Sequence, residues 1–100
     1  MPIDLDEIIK ALAHPVRREI IRLLKDPKTE FPDQLHSTEH GVCAGQFDQC
    51  LSLSQSTVSA HLATLQRAGL ISSQKVGQWH FFKRNEETIQ AFLATLSQEL

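Results

Sequence analysis

Between Gln49 and Asn85 the chain contains no aspartate or glutamate, although it holds twelve acidic residues in all. Residues 1–48 carry nine acidic and six basic side chains, and residues 86–100 carry three acidic and no basic ones. The acid-free stretch keeps Arg67, Lys75, Lys83 and Arg84, with His61 and His80. The formal net charge of −2 argues against a polyanionic partner. Local distribution outweighs that total, because charges act over a Debye length of about 8 Å at physiological salt. Other absences narrow the field further. No apolar run nears the ~20 residues that span a bilayer, and MPIDLDEII is not a basic leader followed by an apolar stretch, so a cytoplasmic protein without a membrane partner is expected. Two cysteines, Cys43 and Cys50, are too close in sequence to staple a fold, which suits a reducing compartment. There is no Gly-rich phosphate loop, HExxH or nucleophile elbow, and the five histidines are scattered, so an enzyme is not expected and no cofactor is implied.

What is present fits a globular chain. With 41% hydrophobic and 22% charged residues, wholesale disorder is excluded, and one hundred residues suffice for a single domain over 1–100. Asp4 to Ala13 reads as a short amphipathic helix with Leu5, Ile8, Ile9 and Leu12 on one side. His14 and Pro15 break it and start a second, in which Val16, Ile20, Leu23 and Leu24 recur at helical spacing and Arg17, Arg18 and Arg22 lie outward. Pro27, Pro32 and Gly41 mark a long loop from Asp26 to Gly41, with room for a helical turn. Val42 to Leu51 reads as a short helix able to turn Val42, Phe47, Cys50 and Leu51 inward.

The stretch Leu53 to Ile71, LSQSTVSAHLATLQRAGLI, is the centre of the chain. Ser54 suits an N-cap, Val58, Leu62 and Leu65 form one buried stripe, and Gly69 suits a left-handed C-terminal cap. The opposite face, Gln55, Ser56, Thr57, Ser59, Ala60 and His61, is short and free of permanent charge, as close approach to the DNA major groove requires. With the helix before it, this is a helix-turn-helix pattern. ISSQKV and WHFFKR around Gly77–Gln78 then read as a hairpin whose Lys75, Gln78 and Lys83 can reach a neighbouring phosphate, with Trp79, Phe81 and Phe82 assigned to packing. Asn85 caps a last helix with Ile89, Phe92, Leu93, Leu96 and Leu100 on one stripe. Leu5, Ile8, Leu12, Ile89, Phe92, Leu93 and Leu96 together suggest a two-fold interface, although packing within one subunit gives the same pattern.

ALAHPVRREIIRLL (11–24), the central stretch and KVGQWHFFKRNEE (75–87) resemble the ArsR-type winged helix-turn-helix repressors over nearly the whole chain, apart from residues 26–41. The resemblance implies a mainly α fold, with about five helices and a two-stranded β-hairpin wing. It also implies a homodimer through the terminal helices, reading a near-palindromic double-stranded operator and usually repressing. Family recognition positions fall on Gln55, Ser56, Thr57, Ser59, Ala60 and His61; Ala60 stands where a larger Arg or His is common. The family's Cys-x-Cys sensor is incomplete, since Cys43 is matched but Gly45 holds the second position. The Asp/His site of the family's last helix has no counterpart in residues 85–100.

No metal site is therefore expected, with His36, His40 and Cys43, together with Glu39, as the residual ligand set. Two alternatives remain: a winged helix that binds protein and not DNA, and a repressor that senses thiol chemistry or metal through Cys43. An unidentified small-molecule or redox inducer fits either regulatory reading.

Overall fold

A computed structural model describes residues 3–35 and 37–100. Asp4 opens helix α1 (Leu5–Leu12), its carboxylate accepting the Glu7 amide at 3.0 Å, and Ile8 and Ala11 turn inward. Helix α2 (Pro15–Leu23) starts where His14 Nδ1 accepts the Val16 amide at 3.1 Å, with Pro15 in the first turn, where its missing N–H costs nothing. No glycine closes α1. Two arginines of α2 do so instead: Arg17 Nε and Nη2 donate to the Ala11 and Lys10 carbonyls at 2.6 and 3.2 Å, and Arg18 donates to the Leu12 carbonyl. Cations on the orphan carbonyls of a helix end satisfy both the hydrogen bonds and the dipole. Arg22, on the outer side of α2, pairs with Glu19 and reaches Glu30 at 3.4 Å; this exposed cluster adds little stability.

The segment expected to be loop is partly ordered. A four-residue helix α3 (Pro27–Glu30) raises the expected five or so helices to six, and a 3-10 turn covers Thr38–His40. Phe31 is buried, edge-on to Phe47 at 5.4 Å between ring centroids. Leu35, by contrast, is fully exposed. The helix expected from Val42 begins two residues later. Val42–Cys43 form strand β1, and α4 spans Ala44–Leu51. The Gln34 side chain explains the change: its amide donates to the Gly41 carbonyl at 3.1 Å and accepts the Cys43 amide at 2.8 Å, acting as a strand neighbour on that side of β1.

Helix α5 (Gln55–Arg67) follows a turn at Ser52, the one non-glycine described with positive φ, at 54°. Strands β2 (Ile71–Val76) and β3 (Trp79–Arg84) form the expected hairpin, and α6 (Glu86–Glu99) ends the chain behind its Asn85 cap. At the hairpin tip Gly77 has φ of 62° and Gln78 is not in the positive region, the pattern of a type II′ turn. Because β1 joins β3, with Val42 opposite Phe82 and Cys43 opposite Phe81, the wing is three-stranded in the order β1-β3-β2 instead of two-stranded. The fold is otherwise the mainly helical, winged helix-turn-helix arrangement expected.

One core cluster joins Ile8, Ile20, Leu23, Phe31, Val42, Phe47, Val58, Leu62, Leu65, Leu70, Ile71 and Phe82 with Ile89 and Phe92. The residues expected at a two-fold interface divide between this core and the surface. Ile8, Ile89 and Phe92 are buried inside their own chain, and Leu5, Leu12 and Leu96 pack partly against the same core. Leu93 is 50% exposed and Ile9 46%, so each stripe is split, with one line turned into the core and these two residues turned outward. Of the residues assigned to core and hairpin packing, Phe81 and Phe82 are buried, while Trp79 pairs with Val76 at the hairpin tip and is 43% exposed. Cys50 faces outward and Cys43 is half-buried. Among the described residues no helix is long and apolar enough to cross a membrane.

Gly41 is the position where the backbone has least freedom. Its φ is 108°, and a Cβ there would sit 2.3 Å from the Phe82 carbonyl oxygen. Gly41→Ala should cost roughly 2–4 kcal/mol, combining left-handed strain with a backbone clash, and so lower Tm by about 10–25 °C. Gly45 sits in α4 with nothing within 4 Å of an added Cβ. Gly45→Ala should leave stability unchanged or raise it by about 0.5 kcal/mol. Paired thermal melts of the two variants check both statements.

Candidate nucleic-acid interface

Helix α5 offers most of its surface to solvent. Its burial rests on Val58, Leu62 and Leu65, one residue per turn, so its position depends on how its ends and flanks are fixed. At the N-terminus Ser54 Oγ accepts the Thr57 amide at 3.3 Å and donates to Thr57 Oγ1 at 2.8 Å, with Ser56 Oγ also 3.3 Å away. Three hydroxyls thus share one cap. At the C-terminus the Gly69 amide donates to the Gln66 carbonyl at 3.0 Å and the Leu70 amide to the Leu65 carbonyl at 3.1 Å, with Gly69 at φ 82°. That pair of bonds is a Schellman motif, and buried Leu65 and Leu70 supply its usual apolar contact.

Two side-chain bonds fix the flanks, and the sequence signalled neither. Gln66 Nε2 donates to Ser73 Oγ on β2 at 2.9 Å, joining the helix to the wing. On the other flank Arg17 Nη1 lies 3.3 Å from His61 Nδ1, and the His61 ring stands 4.6 Å from that of His14, tilted by 56°. Burial, followed by the electrostatic influence of the neighbouring His14 and Arg17, holds His61 below the usual histidine range. In retrospect the one available signal was spacing: Arg17 follows His14 by one helical turn, which places both on the same side of α2.

The expected reading residues are now separable. Gln55, Ser56, Thr57, Ser59 and Ala60 are exposed together on the outer side of α5. His61 is half-buried and turned towards α2, so it belongs to the flank of the helix and not to its open face. Thr57 spends its hydroxyl on the cap. On the wing Lys75 and Gln78 are exposed, with Lys75 opposite His80 on the adjacent strand. Arg84 changes role: its side chain is 13% exposed and bonds Glu86 through both Nε and Nη2, at 2.9 and 3.1 Å, so its charge is locally balanced. A cleft of about 300 Å³ opens between helix and wing, floored by Leu62, Ala63 and Phe82 and rimmed by Gln55, Ser59 and His80.

Of the residual metal ligands, Glu39, His40 and Cys43 lie among the described residues. His36 lies outside the described residues. The His40 ring packs against Phe81, with centroids 5.7 Å apart, and Cys43 is the N-cap of α4 on a strand opposite the same phenylalanine. Among the described residues no group of three His, Cys, Asp or Glu side chains is placed to hold a metal ion.

Comparison with known proteins gives a consistent outcome. A family model described as a helix-turn-helix domain matches residues 12–74. An uncharacterized HTH-type transcriptional regulator, YbzH of Bacillus subtilis (strain 168), is 35% identical over 96 residues, covering 94% of this chain and 96% of its own. The HTH-type transcriptional regulator YgaV of Escherichia coli (strain K12) is 33% identical over 89 residues, covering 89% of this chain and 78% of its own. Among solved structures, the crystal structure of an ArsR family transcriptional regulator, RHA00566, superposes with a TM-score of 0.72 at 20% identity, covering 95% of this chain and 84% of that one.

Because the Ser54 hydroxyl holds the first turn of α5, Ser54→Ala should lower the unfolding free energy by about 1 kcal/mol. Ser54→Asp should restore it, since aspartate caps equally well and suits the positive helix end. Urea denaturation of the two variants distinguishes the cap from a nonspecific effect of the substitution.

Proposed function

This chain belongs to the helix-turn-helix domain family, among the ArsR-like winged helix-turn-helix DNA-binding transcriptional regulators, and from that premise we propose that it acts as a homodimer reading an inverted-repeat operator. In that reading the outer face of α5 enters the major groove. Gln55, Ser56, Thr57, Ser59 and Ala60 meet base edges there, while Lys75 and Gln78 of the wing meet the backbone. The observation that carries the assignment is the exposed, carboxylate-free surface running from α5 into β2 and β3, within a chain that is acidic elsewhere. Amide and hydroxyl side chains on such a face pair with base edges, and Ala60 suits a thymine methyl.

Dimerisation answers the shortage of cations. One chain presents few, whereas a two-fold pair presents two reading helices to half-sites about 34–36 Å apart, one helical turn of duplex. Exposed Ile9 and Leu93, flanked by Leu5, Leu12 and Leu96, provide the apolar strip for that contact. Repression is the mode we assign, by exclusion of polymerase from an occupied operator, and the inducer is a small molecule or oxidant, not a metal held by His36, His40 and Cys43. The working compartment is the cytoplasm, and residues 1–100 act as one domain.

Selection of bound sequences from a random duplex pool, followed by gel shift on the selected site, tests this reading. A Gln55→Ala, Ser56→Ala, Thr57→Ala triple variant should lose the selected preference, at roughly 1–3 kcal/mol for each base no longer read. Equal binding by the triple variant and the wild type would refute the reading face. Lys75→Ala should weaken all duplexes alike and reduce the log–log salt slope by about 1, as expected when one phosphate is no longer neutralised. Leu93→Glu should yield monomers in sedimentation and abolish two-half-site binding. Absence of any salt-dependent duplex binding by the wild type would instead favour a protein-binding winged helix.

A further inference from the structure

The geometry points to Arg17 as a positioning residue that locks the reading helix to α1 and α2 through neutral His61, so that protonation of His61 releases α5 and weakens operator binding. Three donors of one guanidinium serve two different elements. Nε and Nη2 hold the Ala11 and Lys10 carbonyls at the end of α1, at 2.6 and 3.2 Å, and Nη1 meets His61 Nδ1 on α5 at 3.3 Å. Arginine has no acceptor and does not deprotonate. The Arg17–His61 bond therefore requires a lone pair on His61 Nδ1, which fixes the ring as the neutral tautomer with its proton on Nε2. His14 is constrained in the same way, since its Nδ1 accepts the Val16 amide.

A proton arriving at His61 Nδ1 removes the acceptor and places a second positive charge directly beside that of Arg17. Among the described residues no carboxylate is hydrogen-bonded or ion-paired to His61, that of Asp48 on the packed helix α4 included. From α2 the groups facing His61 are His14 and Arg17. The carbonyls of Lys10 and Ala11 at the end of α1 are already engaged by Arg17, and the Lys10 side chain lies on the exposed surface. The reading helix and wing contribute no carboxylate, because residues 49–85 have none. The same lack of acid that suits α5 to DNA thus leaves His61 without a counter-ion. Its folded-state value lies below the ordinary one because of burial first, and then because of the neighbouring His14 and Arg17. The stabilisation is complete above the unfolded value of about 6.5 and is lost as pH falls through that value towards the folded one.

The effect on binding rests on α5 being the DNA-reading helix; the lock itself does not. Two measurements keep these apart. Long-range ¹H–¹⁵N spectra of the free wild-type protein should show His61 as the Nε2–H tautomer titrating below about 6.5, and Arg17→Lys, which cannot span both carbonyls and imidazole, should move it back towards that value. A His61 that is Nδ1-protonated, or that titrates above about 6.5, overturns the lock without any DNA in the tube. On the selected duplex at constant ionic strength, wild-type affinity should fall as pH drops from ~7.5 to ~5.5, by no more than about tenfold per protomer, and the profile of His61→Gln should be flat whatever its absolute affinity. Wild-type affinity that rises as pH falls would make His61⁺ a phosphate contact and refute the proposal. If no duplex is bound at any pH, the DNA-reading assignment fails, while the spectra still decide whether the lock exists.

Discussion

A helix that is to lie in a groove must keep most of its circumference free, and α5 meets that constraint with three buried side chains. Val58, Leu62 and Leu65 form a stripe narrower than the apolar face of an ordinary packed surface helix. Burial alone is a weak means of orienting such a helix, so polar bonds supply the rest. The Ser54 cap and the Gly69 Schellman motif define its ends, Gln66–Ser73 ties it to the wing, and Arg17–His61 ties it to the first two helices. The Gln66–Ser73 and Arg17–His61 bonds lie off the outer face, and only the Ser54 cap, through Ser56 and Thr57, touches it.

The charge distribution obeys the same constraint. A carboxylate within a Debye length of the reading face would repel phosphate, and the chain has none from Gln49 to Asn85. The opposite requirement, solubility near neutral pH, is met at the two ends, where the acids concentrate. Glu86 sits at the border between these regions. It takes up Arg84, whose side chain is largely covered, so that a cation which counts towards a basic patch in the sequence acts as an internal pair at the base of the wing.

Much of the fold was legible because its signals are local. Caps at Ser54 and Asn85, Pro15 in the first turn of α2, Gly69 after α5 and Gly77 at the hairpin all act within a few residues of themselves, and each operates as expected. Apart from the short helix α3, the departures are long-range. Strand β1 depends on Phe81 and Phe82, far along the chain, and on an amide from Gln34; no period within VCAGQFDQCL contains that information. The inward turn of Ile8, Ile89 and Phe92 was equally hidden, since a continuous apolar stripe does not say which of its lines meets the chain's own core. At the site, the exposed face of α5 followed from helical spacing. The diversion of His61 to α2 did not, because Arg17 and His61 are 44 residues apart.

That diversion bears on why the chain has Ala60 beside His61. If His61 were a groove contact, its short neighbour would leave a gap in a face already poor in long side chains. With His61 turned onto α2, the outer face consists of Gln55, Ser56, Thr57, Ser59 and Ala60, all exposed and, apart from Gln55, all small. A face of this kind permits close approach of the helix backbone to the bases, and close approach makes small errors in helix placement costly. Hydrogen bonds of short side chains fail within a few tenths of an ångström, whereas a long arginine can adjust. The more the reading depends on short residues, the more tightly α5 must be held from behind. A guanidinium pinned on two carbonyls of α1 is a stiffer anchor than a surface ion pair, because its donors have fixed directions and its plane is set by the backbone of another helix. The small residues of the reading face and the bidentate anchorage of Arg17 are two parts of the same solution.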